Sequence, residues 1–173
     1  MKHVFLTGEI QIGKSTVIQK ALSLLNVDYG GFRTYFSADR ARPDRRLYIG
    51  RAGLPLPYGE ENTVARFSKA LPPQPFPERF DTLGTQYIAE AAESARLIVM
   101  DECGNLEDGA PRFQRAVFTA LEGAVPVLGV LKLSSAGWVD EIRRHQSVAL
   151  ISVDAQNRDA LPRLVADSLR PSV

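Results

Sequence analysis

Residues 4–25 restrict what the chain can become more tightly than any other stretch. They read Val4-Phe5-Leu6, then TGEIQIGKST, then a run in which Val17, Ile18, Ala21, Leu22 and Leu25 recur at helical spacing. The pattern predicts a strand, a glycine-bracketed loop and a helix in immediate succession. A loop that closes on a helix amino terminus presents several backbone N–H donors and the positive end of the helix dipole, which suits phosphate oxygens. The spacing from Gly8 to Lys14-Ser15 fits G-x-x-x-x-G-K-[ST]. Gly8 and Gly13 permit the tight path, Lys14 supplies a point charge for the outer phosphates, and the Ser15 hydroxyl suits the magnesium that accompanies a nucleotide. Glu9, Ile10, Gln11 and Ile12 fill the loop, and the Cβ of Gln11 restricts both close backbone approach and a positive φ. That bears on rate and nucleotide choice without removing a donor.

Beyond the first unit, apolar runs alternate with helical patterns. Phe80, Leu83, Tyr87, Ile88 and Ala91 share a helical spacing, LIVM leads into Asp101-Glu102, and a helical pattern over 111–122 precedes PVLGVLKL. A short amphipathic piece over 138–144, the run SVALISV and a closing helix over 159–169 complete the series. The runs look buried on both faces, and the alternation predicts an α/β fold with a mainly parallel sheet and helices on both sides. Residues 29–36 and 46–51 flank the turn-rich ADRARPD, which predicts a β-hairpin over 29–52. Six prolines between Leu54 and Pro77 argue for irregular chain around at most one short helix near 63–71, a segment suited to a mobile lid.

At 173 residues the chain has the length of one domain, spanning 1–173, and can bury roughly 70% of its unfolded surface. With 21 Lys+Arg against 20 Asp+Glu, no global field draws it to nucleic acid or anionic lipid. A local basic segment does exist, with Arg33, Arg40, Arg42, Arg45, Arg46 and Arg51 answered by Asp39 and Asp44. By default it is a solvated hairpin; the alternative is a surface for phosphates or acidic partners. Cys103 is the only cysteine, the start MKHVFLTG is too short for a secretory signal, and no apolar stretch reaches the about 18 residues of a spanning helix. A cytoplasmic setting without membrane or nucleic-acid partners is expected; a protein partner is left open.

The run RLIVMDECG delivers Asp101 to the carboxyl edge of the sheet, where open α/β sheets bind their ligands. A carboxylate there can hold magnesium directly or through water, and Glu102 beside it is placed to act on an attacking water as general base. A strand ending in solvent would also produce such a pair; the amino-terminal loop favours the functional reading. Cys103 is assigned to packing. His3 and His145, the two histidines, show no partner in the sequence, and no Cys/His cluster has the spacing of a structural zinc site.

With TGEIQIGKST, GGFRT (30–34), VMDECGNLE (99–107), PVLGVLK (126–132) and NRDALP (157–162) in view, the chain resembles the small nucleoside-triphosphatase family that includes the cancer-related nucleoside-triphosphatase and thermophilic relatives. The likeness runs over nearly the whole length. It implies a three-layer RecA-like phosphate-loop fold that hydrolyses nucleoside triphosphates, ATP and GTP among them, with Mg2+ and broad base tolerance. Carried over by position, Gly8, Glu9, Ile10, Gln11, Ile12, Gly13, Lys14, Ser15 and Thr16 would cradle the phosphates. Ser15 and Asp101 would hold the metal, Lys14 and Glu102 would be catalytic, and Asn157 and Arg158 would lie near the base. Family members commonly carry Pro and Gly where this chain has Ile10 and Gln11, and IGPME where it has CGNLE, departures that bear on turnover and suit a divergent branch.

Two other readings stay open at this stage. A small kinase would use the proline-rich stretch and some arginines as a closing lid, although an adjacent Glu102 is less needed there. A nucleotide-gated binding module would hydrolyse little and present the 33–51 hairpin to a partner. Arg33, Arg112 and Arg158 are each candidates to meet developing charge, and the sequence does not separate them.

Overall fold

The computed structural model describes residues 2–37 and 44–173. Asp39, Arg40 and Arg42 of the basic segment therefore lie outside the described residues. Eight strands form one sheet: β1 (His3–Thr7), β2 (Tyr29–Phe36), β3 (Arg45–Arg51), β4 (Thr63–Phe67), β5 (Gln74–Pro75), β6 (Leu97–Cys103), β7 (Val127–Leu131) and β8 (Val148–Ser152). Their spatial order is β5-β4-β3-β2-β6-β7-β1-β8. The pairs from β2 through β8 are parallel, and β3, β4 and β5 extend the sheet antiparallel.

Alternation along the central strands builds two cores, because successive side chains point to opposite faces. Val4, Leu6, Leu97, Val99, Leu128 and Val130 face α1 (Lys14–Leu25) and α6 (Leu161–Leu169). On the other face Phe5, Ile98, Met100 and Val127 pack beneath α3 (Thr85–Ser94), α4 (Pro111–Glu122) and α5 (Trp138–Arg144). The short α2 (Pro77–Arg79) and a π-helical turn over Phe80–Gly84 lead into α3. These helices on both sides of a mainly parallel sheet match the expected three layers, and none of the described helices is long and apolar enough to cross a membrane.

The hairpin over 29–52 is present as the antiparallel pair β2–β3, with Tyr35 opposite Tyr48. The expectation for 54–77 is corrected: residues 63–67 form strand β4, in which Val64 and Ala65 are fully buried. Thr63 and Val64 are β-branched, and β3 supplies hydrogen-bond partners that no local signal announces. Pro75 sits on the edge strand β5, where a missing donor is tolerated. The segment is thus pinned into the sheet rather than hung beside it. The reading of every apolar run as buried on both faces also fails at β8, an edge strand that leaves Leu150 exposed.

His3 and His145 acquire partners that the sequence did not reveal. The buried His3 accepts a hydrogen bond from Val127 N at Nδ1 (3.0 Å), and its Nε2 lies 2.9 Å from Leu121 O. Burial lowers its pKa, in keeping with a neutral ring that ties the end of α4 to β7. His145 Nε2 lies 2.9 Å from Glu122 Oε1.

Candidate functional site

The loop after β1 lies at the carboxyl edge of the sheet. Gly8 has φ +145°, and a Cβ there would stand 2.5 Å from Val153 O, so the chain beyond β8 passes too close for any larger residue. Gly13, at φ +112°, opens α1. Gln11 adopts φ +64° despite its side chain, so the conformation that its Cβ disfavours is formed all the same, at about 1 kcal/mol relative to glycine. Ile10, at the tip, is 79% exposed. The amides of the first turn of α1 face outward from this edge with no side-chain cap.

Lys14 is buried and folds back over the loop, its Nζ donating to Gly8 O (2.9 Å) and Glu9 O (2.8 Å). Ser15 Oγ donates to Asp101 Oδ1 at 3.4 Å, bringing the start of α1 to the end of β6. The peptide bond between Asp101 and Glu102 is cis, and the β6–β7 register slips between Met100 and Cys103. A slip of this kind turns side chains out of their regular alternation. Asp101 is 4% exposed and Glu102 half-buried. Burial raises both carboxyl pKa values; Arg33, Ser15 and Lys14 oppose it at Asp101, and Lys14 opposes it at Glu102.

On the flank of this pair, Arg33 Nε stands 3.6 Å from Asp101 Oδ2, and Thr34 Oγ1 donates to Asp101 O at 3.2 Å. Behind it, Glu107 Oε2 accepts from Gly104 N at 2.8 Å, while Trp138 Nε1 donates to Gly104 O at 3.0 Å. Complete burial pushes the Glu107 carboxyl up to about 8. Cys103 is fully buried and its thiol is pushed well up, which agrees with its assignment to packing.

After β8, Asn157 spends its side chain on its own turn: Oδ1 accepts from Asp154 N (3.0 Å) and Nδ2 donates to Ser152 O (2.8 Å). Arg158 leans on the glycine loop, its Nη1 3.5 Å from Ile12 O. The structure therefore brings Lys14, Ser15, Asp101 and Glu102 together and sets Arg158 against the loop. Arg33, Glu107 and Trp138 complete the surroundings. The sequence offered Arg33 as one of three candidate arginines but set it in a hairpin rather than at the parallel edge; Glu107 closes the stretch VMDECGNLE without a role assigned there, and for Trp138 no signal existed. A separate groove of about 500 Å³ between α3 and α4, lined by Ala92, Arg112, Ala116 and Ala120, is floored by Ile98 near the opposite end of β6 and takes no part in this edge.

A glycine loop closing on a helix at the carboxyl edge of a parallel sheet, opposite an acidic strand end, defines the phosphate-loop class of α/β proteins. Within that class the chain belongs to the NTPase family, whose model matches residues 3–166. It is similar to the nucleoside-triphosphatase THEP1 of Thermofilum pendens, 31% identical over 180 residues that cover 95% of this chain and 93% of the relative. The cancer-related nucleoside-triphosphatase homolog of Mus musculus is 27% identical, with 95% of each chain covered. Among solved structures, THEP1 from the hyperthermophile Aquifex aeolicus superposes with a TM-score of 0.75 at 23% identity, covering 98% of this chain and 99% of that one. The human cancer-related nucleoside triphosphatase gives 0.71 at 24%, covering 100% of both chains. At those identities the likeness concerns the fold.

Proposed function

We propose that this protein hydrolyses nucleoside triphosphates to the diphosphate and phosphate, with Mg2+, at the edge formed by residues 8–16 and Asp101-Glu102. The observation that carries this reading is the meeting of Ser15 Oγ and Asp101 Oδ1 at 3.4 Å beside a lysine already seated on the loop. A hydroxyl and one buried carboxylate are the donor set for an ion that arrives with phosphate oxygens and keeps several waters. Ser15 and Asp101 would hold magnesium, which when bound neutralises charge on the outer phosphates.

The chain's own residues do the rest. Amides of residues 9–16 would bind phosphate oxygens, with Gln11 held in the left-handed conformation so that its N–H shares in the cradle. Lys14 would exchange the carbonyls of Gly8 and Glu9 for the outer phosphate. Glu102, made more basic by burial, would take a proton from the attacking water at a carboxylate oxygen. Arg158, set against the loop at Ile12 O, would meet the nucleotide from that side, and Asn157 would shape the turn after β8. Asn157 would act through the shape of its turn rather than by reading a base edge, a role in keeping with broad base tolerance.

Purified protein incubated with Mg2+ and ATP, GTP, CTP or UTP should release phosphate from each without an added acceptor. Phosphate appearing only on a supplied metabolite would make the protein a kinase instead. Tight binding without release would make it a nucleotide-gated module.

A further inference from the structure

We propose that Arg33 is a catalytic arginine supplied in cis, paired with the Asp101 carboxylate and moved onto the outer phosphate when a triphosphate and its divalent ion bind. The inference rests on the hydrolase reading and adds a residue to it.

Three observations place Arg33 in that role. Arg33 and Asp101 are register partners on the parallel pair β2–β6, so their side chains leave the sheet on one face at its carboxyl edge. The Arg33 Nε is buried and makes no hydrogen bond, and its 3.6 Å approach to Asp101 Oδ2 is a charge contact too long to satisfy the donor. A buried, unsatisfied guanidinium donor is costly and calls for a further partner. The other oxygen of the same carboxylate, Oδ1, faces Ser15 at the start of α1. Arg33 and the metal-binding hydroxyl thus converge on one carboxylate from opposite sides.

That shared carboxylate creates a competition. A divalent ion held near Asp101 would repel the guanidinium and neutralise the charge that keeps it in place. Three anionic oxygens of an outer phosphate, by contrast, match the planar fork of donors that an arginine presents. The side chain is 26% exposed, so it has an open path on the solvent side of the edge. Arg112 lines the remote α3–α4 groove and Arg158 leans on the glycine loop at Ile12 O, whereas Arg33 stands, among the described residues, against the acidic pair itself.

Arg33→Gln and Arg33→Lys test the exchange with two readouts. In steady-state hydrolysis Arg33→Gln should lose roughly 10²- to 10³-fold in kcat with KM within about threefold, and Arg33→Lys should recover part of that loss. Independently of turnover, a non-hydrolysable triphosphate analogue is titrated by calorimetry at increasing Mg2+. The Mg2+ concentration giving half-maximal binding should fall about threefold or more in Arg33→Gln, because the carboxylate has lost its competing cation.

An unchanged Mg2+ half-point, with or without a loss of kcat, overturns the proposal, as does a kcat within about threefold of the parent. Should Arg33→Gln fail to fold, Arg33→Met, which also removes the cation, carries the test, with a lowered kcat and a shifted half-point expected and parental values contradicting. A parent protein that binds no analogue sinks the hydrolase reading and this inference with it. A parent that binds and turns over alongside an indifferent Arg33 sinks this inference alone.

Discussion

β1, β6 and β7 run parallel and are buried along almost their whole length, whereas β3, β4 and β5 run antiparallel and are held at their outer side by arginines. In the flank, Glu60 receives Arg46 and Arg66 at 2.8 Å each and Arg79 at 3.5 Å, while Arg66 and Arg79 lie over the Phe76 ring. Asn62, buried beneath, donates to Ile49 O and Pro57 O and accepts from Gly59 N. In the parallel half Lys14, Ser15 and Asp101 gather at one edge, whereas the polar groups of the flank are spent on one another. The strand between them, β2, is parallel to β6 and antiparallel to β3, and it carries Arg33 into the edge. On the proposed function, the chemistry falls at that edge, and the seam strand brings Arg33 to it.

Substitutions on the two sides should separate accordingly. The largest effect is expected from Lys14→Ala, on the order of 10³-fold in kcat/KM measured by phosphate release, with weakened analogue binding. Glu102→Gln should follow, losing roughly 10²- to 10³-fold in kcat while KM and analogue affinity stay within a few-fold. A Gln variant that turns over like the parent would remove Glu102 as the base and leave the acidic pair a metal-holding device only.

The seam offers a sharper test of architecture. Gly31 on β2 has φ +102°, and a Cβ there would stand 2.1 Å from Val99 O. Gly31→Ala should therefore cost about 2–4 kcal/mol and lower Tm by roughly 10 °C in thermal unfolding. A Tm near that of the parent would mean that β2 is not held against β6 as described.

A smaller effect comes from pH. The Glu107 carboxyl sits at about 8 in the folded chain against 4.5 as its ordinary value, so between these the folded state keeps a proton that the unfolded state has released. Its contribution to stability is present at low pH and is lost as pH rises toward 8. Asp101 and Glu102, shifted in the same direction, add to that slope. Glu107→Gln should keep the Gly104 N–H bond and flatten the dependence, which a series of Tm values from about pH 5 to about pH 8 would show. The smallest effect belongs to Glu60→Gln in the flank, which should leave kcat unchanged and Tm almost so, because exposed ion pairs contribute little.

Much of the parallel half was legible in the sequence because its signals are local: Gly8 to Ser15 set the loop, Val17 to Leu25 set the helix face, and the apolar run before Asp101 set the strand. The hairpin was legible for the same reason, with β-prone runs on either side of a turn. Strand β4 was not, since Thr63 to Phe67 becomes a strand through β3, whose pairing is a long-range fact. The left-handed conformation of Gln11 was not legible in its residue type, which disfavours it, because the closed loop sets the backbone there. The pairing of Arg33 with Asp101 required the register of β2 on β6, and the tie of Trp138 to Gly104 required the docking of α5. Neither is written in spacing.

The most direct test of the account is calorimetric titration of the full chain with a non-hydrolysable triphosphate in the presence of Mg2+, repeated with Lys14→Ala. One site per chain is expected, with heat that is lost or strongly reduced in the variant. No heat from the parent, or equal heat from a folded Lys14→Ala, would contradict it.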